Sequence, residues 1–105
     1  MKINIKATNL DLTPEIREYL EEKIGSLSRF LKKFETKSEI EIFIEIAQTT
    51  KHRQGNILYA EATIPLGKKI LRAEHFSNDI KIAINKVKDE LQREIKEYKE
   101  KKFLI

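Results

Sequence analysis

Strict alternation opens the chain. Ile3, Ile5 and Ala7 fall on one side and Lys2, Asn4 and Lys6 on the other, the period of a half-buried strand. Asn9 to Leu12 break that period, and Thr13-Pro14 reads as an N-cap followed by proline at the first helical position. Ile16, Tyr19, Leu20, Ile24, Leu27, Phe30, Leu31 and Phe34 then recur at helical spacing, which predicts one amphipathic helix through about residue 34. Its first half carries Glu15, Glu18, Glu21 and Glu22 and its second half Arg29, Lys32 and Lys33, an order that complements the helix dipole.

Residues 37–48 give the strongest strand signal: Ile40, Ile42, Ile44 and Ile46 face one way, and Glu39, Glu41, Phe43 and Glu45 the other. The polar stretch Gln48–Gly55 reads as a long hairpin loop, in which Lys51, His52 and Arg53 could reach a phosphate. A third strand alternates Leu58, Ala60, Ala62 and Ile64 with Tyr59, Glu61 and Thr63. Pro65-Leu66-Gly67 reads as a tight turn, and a fourth strand at about 68–76 turns Leu71 and Ala73 inward. Ser77 or Asn78 is the expected cap of a last helix from about Asp79 to Lys101, whose stripe is Ile80, Ala83, Ile84, Val87, Leu91, Ile95 and Tyr98.

The order β-α-β-β-β-α, with one apolar face per strand and one apolar stripe per helix, predicts an α+β two-layer sandwich. A four-stranded mixed sheet has both helices packed on one face, and strands one and two are parallel. The strand–strand–strand–helix run is shared with the double-stranded RNA-binding domain. The other sheet face is expected to stay open, with Glu39, Glu41, Glu45, Glu61 and Glu74 around Phe43, Tyr59 and Arg72. Aromatics on an open four-stranded sheet suggest base stacking, but five carboxylates would repel a phosphate backbone, and the element order is not that of an RNA-recognition motif.

Composition narrows the classes. The 105 residues are 40% hydrophobic and 36% charged, too apolar for a disordered chain, and no apolar run reaches the ~20 residues of a membrane span. A single domain, 1–105, is expected, with no secretory leader and no membrane partner. There is no Cys, which excludes disulfides and thiolate chemistry and fits a cytoplasmic setting. His52 and His75 stand far apart, the three glycines form no phosphate loop, and no paired-carboxylate or metal-ligand spacing occurs. No enzyme, cofactor, metal or small-molecule substrate is expected, and His75 reads as a structural partner.

Net charge is +4, and it is uneven: residues 1–50 carry 8 basic and 9 acidic side chains, residues 51–105 carry 13 and 8. Plotted at about 100° per residue, the last helix has Lys81, Asn85, Lys88, Gln92, Lys96 and Lys99 on one flank and Glu90, Glu94 and Glu97 on the other. Lys86, Asp89 and Arg93 lie on its back. A flank of lysines and amides suits phosphate and sugar contacts, though a merely solvated flank fits the same pattern.

Several segments together resemble a known family. They are Ile3-Asn4-Ile5 with Leu12-Thr13-Pro14 and Ile16-Arg17, Tyr19–Ile24 with Leu27-Ser28-Arg29-Phe30, Leu71-Arg72-Ala73-Glu74 before Asp79–Asn85, and Leu91–Lys99. Their order and spacing are similar to the ribosome hibernation promoting factor family, also called ribosome-associated inhibitor A or sigma-54 modulation protein, in its short form. The resemblance implies a non-enzymatic factor that binds small-subunit rRNA near the decoding centre and blocks the messenger and transfer RNA sites of idle ribosomes in stress or stationary phase. Carried over by position, Lys23 and Arg29 on the first helix and Arg93 and Lys99 on the last would contact rRNA; the helical plot adds Lys86, Lys88 and Lys96. Lys81 stands where the family usually has Tyr, Glu90 and Glu97 where it often has Lys, and Ser26 where a basic residue is common. With the sequence ending at Ile105, no C-terminal dimerisation domain is expected. The alternatives are a small protein-interaction or weak self-association module using the open sheet face around Phe43 and Tyr59, or a general double-stranded RNA binder.

Overall fold

The Ile40-Ile42-Ile44-Ile46 row lies at the centre of the core, as its alternation predicts, with all four side chains buried. In the computed structural model, which describes residues 1–35, 39–52 and 55–103, the elements run in order β1 (Lys2–Thr8), α1 (Pro14–Gly25), α2 (Ser28–Leu31), a 3-10 turn (Lys32–Phe34), β2 (Glu41–His52), β3 (Gly55–Leu66), β4 (Lys69–Ser77) and α3 (Ile80–Phe103). The sheet order is β1-β2-β3-β4, with β1 parallel to β2 and the other pairs antiparallel. Leu20, Ile24, Leu27 and Leu31 from the first helical segment and Ile84, Val87, Leu91 and Ile95 from α3 close over Ile42, Ile46, Ala62 and Ile64. This is the α+β two-layer sandwich expected from the pattern. Among the described residues no helix is long and apolar enough to cross a membrane.

The first-helix cap signal works as written. Thr13 sits in extended backbone (φ −72°, ψ 158°), and its Oγ1 accepts the Ile16 N–H at 3.2 Å, satisfying one unpaired donor of the first turn of α1. The expected Pro65-Leu66-Gly67 turn is displaced: Pro65 and Leu66 pair as the last residues of β3, and the two-residue turn is Gly67 and Lys68, with Gly67 at φ +63°, a positive φ that primed hairpin turns require and glycine adopts without strain.

Four further expectations are corrected. The first helix is not continuous: the Ser26 hydroxyl donates to the Lys23 carbonyl at 2.6 Å, and Leu27 N–H bonds Ile24 rather than residue 23, so the chain tightens after the weak helix former Gly25 and restarts at Ser28. The apolar stripe survives the break because Leu27 and Leu31 remain fully buried. The supposed hairpin loop is largely strand: β2 runs to His52 and β3 starts at Gly55, with Gln48 paired to Leu58, Thr49 to Ile57 and His52 to Gly55 across a register shift. Backbone ladder bonds need no apolar side chains, so a polar ribbon pairs as well as the core does. The side chains of Lys51, His52 and Arg53 lie outside the described residues. The last helix is capped not by Ser77 or Asn78 but by Asp79, whose Oδ1 accepts Lys81 N–H at 2.9 Å, while Ser77 Oγ accepts Asp79 N–H at 3.1 Å and shapes the approach. Finally, Ala7 is exposed; β1 is an outer strand, and the cover over its inner face thins from the half-buried Ile3 and Ile5 towards its end.

Candidate nucleic-acid interface

Capping by Thr13 sets the phase of α1 so that Leu20 and Ile24 point into the core. Tyr19 and Lys23, four residues apart, are then left together on the shoulder of the helix. The Lys23 ammonium stands 5.6 Å from the centre of the Tyr19 ring, and Lys81, in the first turn of α3, approaches the same ring to 5.5 Å. Lys81 also donates to the Glu15 carboxylate; that hydrogen bond holds Lys81 above the ordinary lysine range and Glu15 below the ordinary carboxylate range.

A second node follows along the same seam. The Arg29 guanidinium lies 4.8 Å from the centre of the Phe30 ring, and Lys96 of α3 lies 5.2 Å from it. Each ring thus receives one cation from its own segment and one from α3, at contact energies of about 0.5–1 kcal/mol in exposed positions. Lys81 and Lys96 are fifteen residues apart, roughly 22 Å along the helix. Asn85, Lys88 and Gln92 stand between them on the same flank, each half-buried. The result is a strip of cations, amide groups and aromatic edges, in which Glu15 pairs with Lys81 and Asp89 with Lys88.

The opposite flank of α3 is different chemistry. Glu90 meets His75 Nε2 of β4 at 2.8 Å, and Arg93 lies 4.0 Å from Glu97. Burial, reinforced by the neighbouring Glu90, pushes the Glu94 carboxyl up. A groove of about 460 Å³ runs here between α3 and β4, lined by Lys69, Leu71, Glu94, Glu97, Tyr98, Lys101 and Lys102. Its signs are mixed, and it offers no single-charge surface.

Of the seven side chains singled out in sequence, the seam gathers Lys23, Arg29 and Lys96 around the two rings. Lys88 and Lys99 sit half-buried on the same flank; the Lys88 side chain is only 21% exposed, with its ammonium 3.3 Å from Asp89. Lys86 and Arg93 are exposed on the back of α3, away from the seam. The rings of Tyr19 and Phe30 and the amine of Lys81 were not among the candidates. Tyr19–Lys23 spacing was a local signal for the first ring, but the approach of Lys96 to Phe30 is tertiary and left none. His75 is a structural partner as expected. Among the described residues no group of three or more His, Cys, Asp and Glu is placed to hold a metal.

On the open sheet face the expected carboxylates are engaged. Arg72 bridges Glu61 (2.7 Å) and Glu74 (3.1 Å), which stand directly opposite each other on β3 and β4. Thr8 Oγ1 (2.7 Å) and the Tyr59 hydroxyl (3.1 Å) both donate to Glu45. Burial first, then that hydrogen bond, pushes Tyr59 up to about 12. Tyr59 stacks on Phe76 at 5.4 Å, whereas Phe43 remains 46% exposed beside a shallow dish lined by Asn4, Lys6 and Thr63.

Comparison with known proteins places this geometry. The model of the sigma 54 modulation protein / S30EA ribosomal protein family matches residues 3–102. The chain is 33% identical over 99 residues to the ribosome hibernation promotion factor of Lactococcus lactis subsp. cremoris, covering 94% of this chain and 50% of that protein. It is 30% identical over 104 residues to the Staphylococcus aureus protein of the same name, covering 94% and 48%. The chain therefore spans about half the length of the curated relatives it matches. Among solved structures it superposes on the N-terminal domain of Thermus thermophilus Protein Y with TM-score 0.73 and 25% identity, covering 93% of this chain and 99% of that one. A ribosomal subunit interface protein from Coxiella burnetii shares the fold at TM-score 0.70 and 21% identity, covering 94% and 98%.

Proposed function

The chain belongs to the sigma 54 modulation protein / S30EA ribosomal protein family, and on that premise we propose that it is a ribosome-associated hibernation factor. It binds rRNA of the small subunit near the decoding centre, occupies the messenger and transfer RNA sites of idle cytoplasmic ribosomes in stress or stationary phase, and performs no chemistry. The observation that carries this reading is the seam between α1–α2 and α3, where Lys23, Lys81, Arg29 and Lys96 are held over Tyr19 and Phe30. Cations placed on aromatic shoulders are pre-oriented for phosphate, and ring edges next to them suit exposed bases and riboses. Lys88 fills the strip between Lys81 and Lys96, Lys99 lengthens it, and Lys86 and Arg93 reach phosphates from the back of α3 as a wider RNA surface closes around it.

Binding of this kind releases counterions, so affinity should fall steeply with salt, and each lost phosphate contact should lower the slope of log affinity against log salt by about one. Co-sedimentation with purified small subunits over a salt series tests it. Loss of binding on charge reversal at Lys96 and Arg93 supports the surface; pelleting equal to the unaltered chain removes it. Plain duplex RNA as competitor separates this reading from a general double-stranded RNA binder, because a decoding-site factor prefers the subunit.

A further inference from the structure

The sheet has two outer strands, and they differ. On β1 the outward row is Lys2, Asn4 and Lys6, so a second copy pairing antiparallel about Asn4 would set Lys2 against Lys6, like against like. On β4 the outward row is Ile70, Arg72, Glu74 and Phe76, with Leu71, Ala73 and His75 facing the helices. Two of the four large apolar side chains exposed among the described residues lie here: Ile70 at 62% and Phe76 at 42%. They stand three positions either side of Ala73, and Arg72 and Glu74 stand one position either side.

That arrangement is its own complement, and we propose that β4 is an isologous pairing edge for a second copy of this chain. Turned about a two-fold axis at Ala73, antiparallel β4 strands place Arg72 opposite Glu74 of the second copy and Ile70 opposite its Phe76, each twice. The register is specified by chemistry. Moving the centre to Arg72 sets arginine against arginine and Ile70 against a carboxylate; moving it to Glu74 sets carboxylate against carboxylate and Arg72 against Phe76. In the Ala73 register the rows extend existing contacts. Tyr59 already stacks on Phe76, so each apolar row becomes Tyr59, Phe76, then Ile70 and Pro65 of the other chain. Glu61 and Glu74, opposed like charges sharing one guanidinium, gain a second Arg72 alongside. Both helix layers fall on one side of an eight-stranded sheet. The acidic flank of α3 above β4, Glu90, Glu94 and Glu97, comes nearer its counterpart, with Lys69, Lys101 and Lys102 on the same rim, and this keeps the association weak.

Sedimentation equilibrium of the whole chain up to about 1 mM, a concentration that detects an association of roughly 4 kcal/mol, tests the proposal. The average mass should climb from 12.4 kDa towards twice that value. Arg72→Glu should weaken association by roughly tenfold or more, and Arg72→Glu combined with Glu74→Arg should restore it, because the swapped pair is again complementary. Since the chain has no Cys, an oxidised mixture of Arg72→Cys and Glu74→Cys chains should cross-link far better than either alone. A chain that stays monomeric at 1 mM overturns the proposal. So does a single reversal that associates as tightly as the original, a swap that fails to restore, or loss of association with Phe43→Ser in place of Arg72→Glu.

Discussion

The two flanks of α3 border one apolar stripe, one with lysines and amides and the other with glutamates, and the fold gives them opposite fates. One flank is wedged against α1 and α2, where its lysines stand over Tyr19 and Phe30 beside Lys23 and Arg29. The other leans on β4, where Glu90 and Glu94 are half-buried against His75 and Lys69. Lysine tolerates such a shoulder because its stem covers apolar surface while its ammonium stays in water, whereas a short carboxylate brought as close to the sheet is desolvated. The positive flank is therefore presented at the surface, and the negative one is partly absorbed into the structure. A surface charge count alone would miss that difference in burial.

The most drastic way to break the contrast is to remove the stripe beneath both. Leu91 is fully buried between the flanks, and Leu91→Ala should cost about 2–5 kcal/mol, seen as a lowered midpoint in urea with RNA binding reduced only in proportion to unfolding. Next, Arg29→Glu with Lys96→Glu at the Phe30 node should reduce small-subunit binding by roughly one to two orders of magnitude at low salt and flatten its salt slope by about two, while Glu90→Gln leaves both unchanged. The stability of the same Glu90→Gln chain should drop by about 0.5–1.5 kcal/mol, the worth of a part-buried hydrogen bond to His75. Glu15→Gln releases Lys81 from its intramolecular carboxylate and should tighten RNA binding a few-fold, read by the same sedimentation assay.

The smallest effect is a pH dependence on the acidic flank. Glu94 has a folded-state pKa above its ordinary 4.5, so the folded chain holds that proton more firmly than the unfolded one does. Stability from this group is full below pH 4.5 and is lost as pH rises through the elevated value. Glu94→Gln should then raise the melting midpoint slightly at neutral pH and leave it unchanged at pH 4; an equal gain at both pH values would mean that desolvation of the carboxylate is not the cause.

Much of the fold is legible in the sequence. Period-two alternation placed the isoleucine row of β2 and the inward faces of β3 and β4, and the stripe of α3 was read residue by residue, because burial on one face of a regular element imposes a period that sequence must keep. Thr13-Pro14 marked a helix start because capping is a local event. Failures came where a short-range preference met a long-range partner. The break after Gly25 did not disturb the stripe, the polar end of the β2–β3 ribbon pairs through backbone that sequence does not display, and Asp79 displaced Ser77 as cap by the exact turn of the chain.

For the candidate interface, sequence determined the raw material: which flank of α3 is basic, which is acidic, and that Lys23 and Arg29 follow Tyr19 and flank Phe30. Only the tertiary structure decided that Lys81 and Lys96 close over those rings and that Glu90 is held by His75. Side-chain period is fixed by covalent geometry and can be read along the chain; which two flanks meet depends on how the helices lie across the sheet, a property of the packed core as a whole.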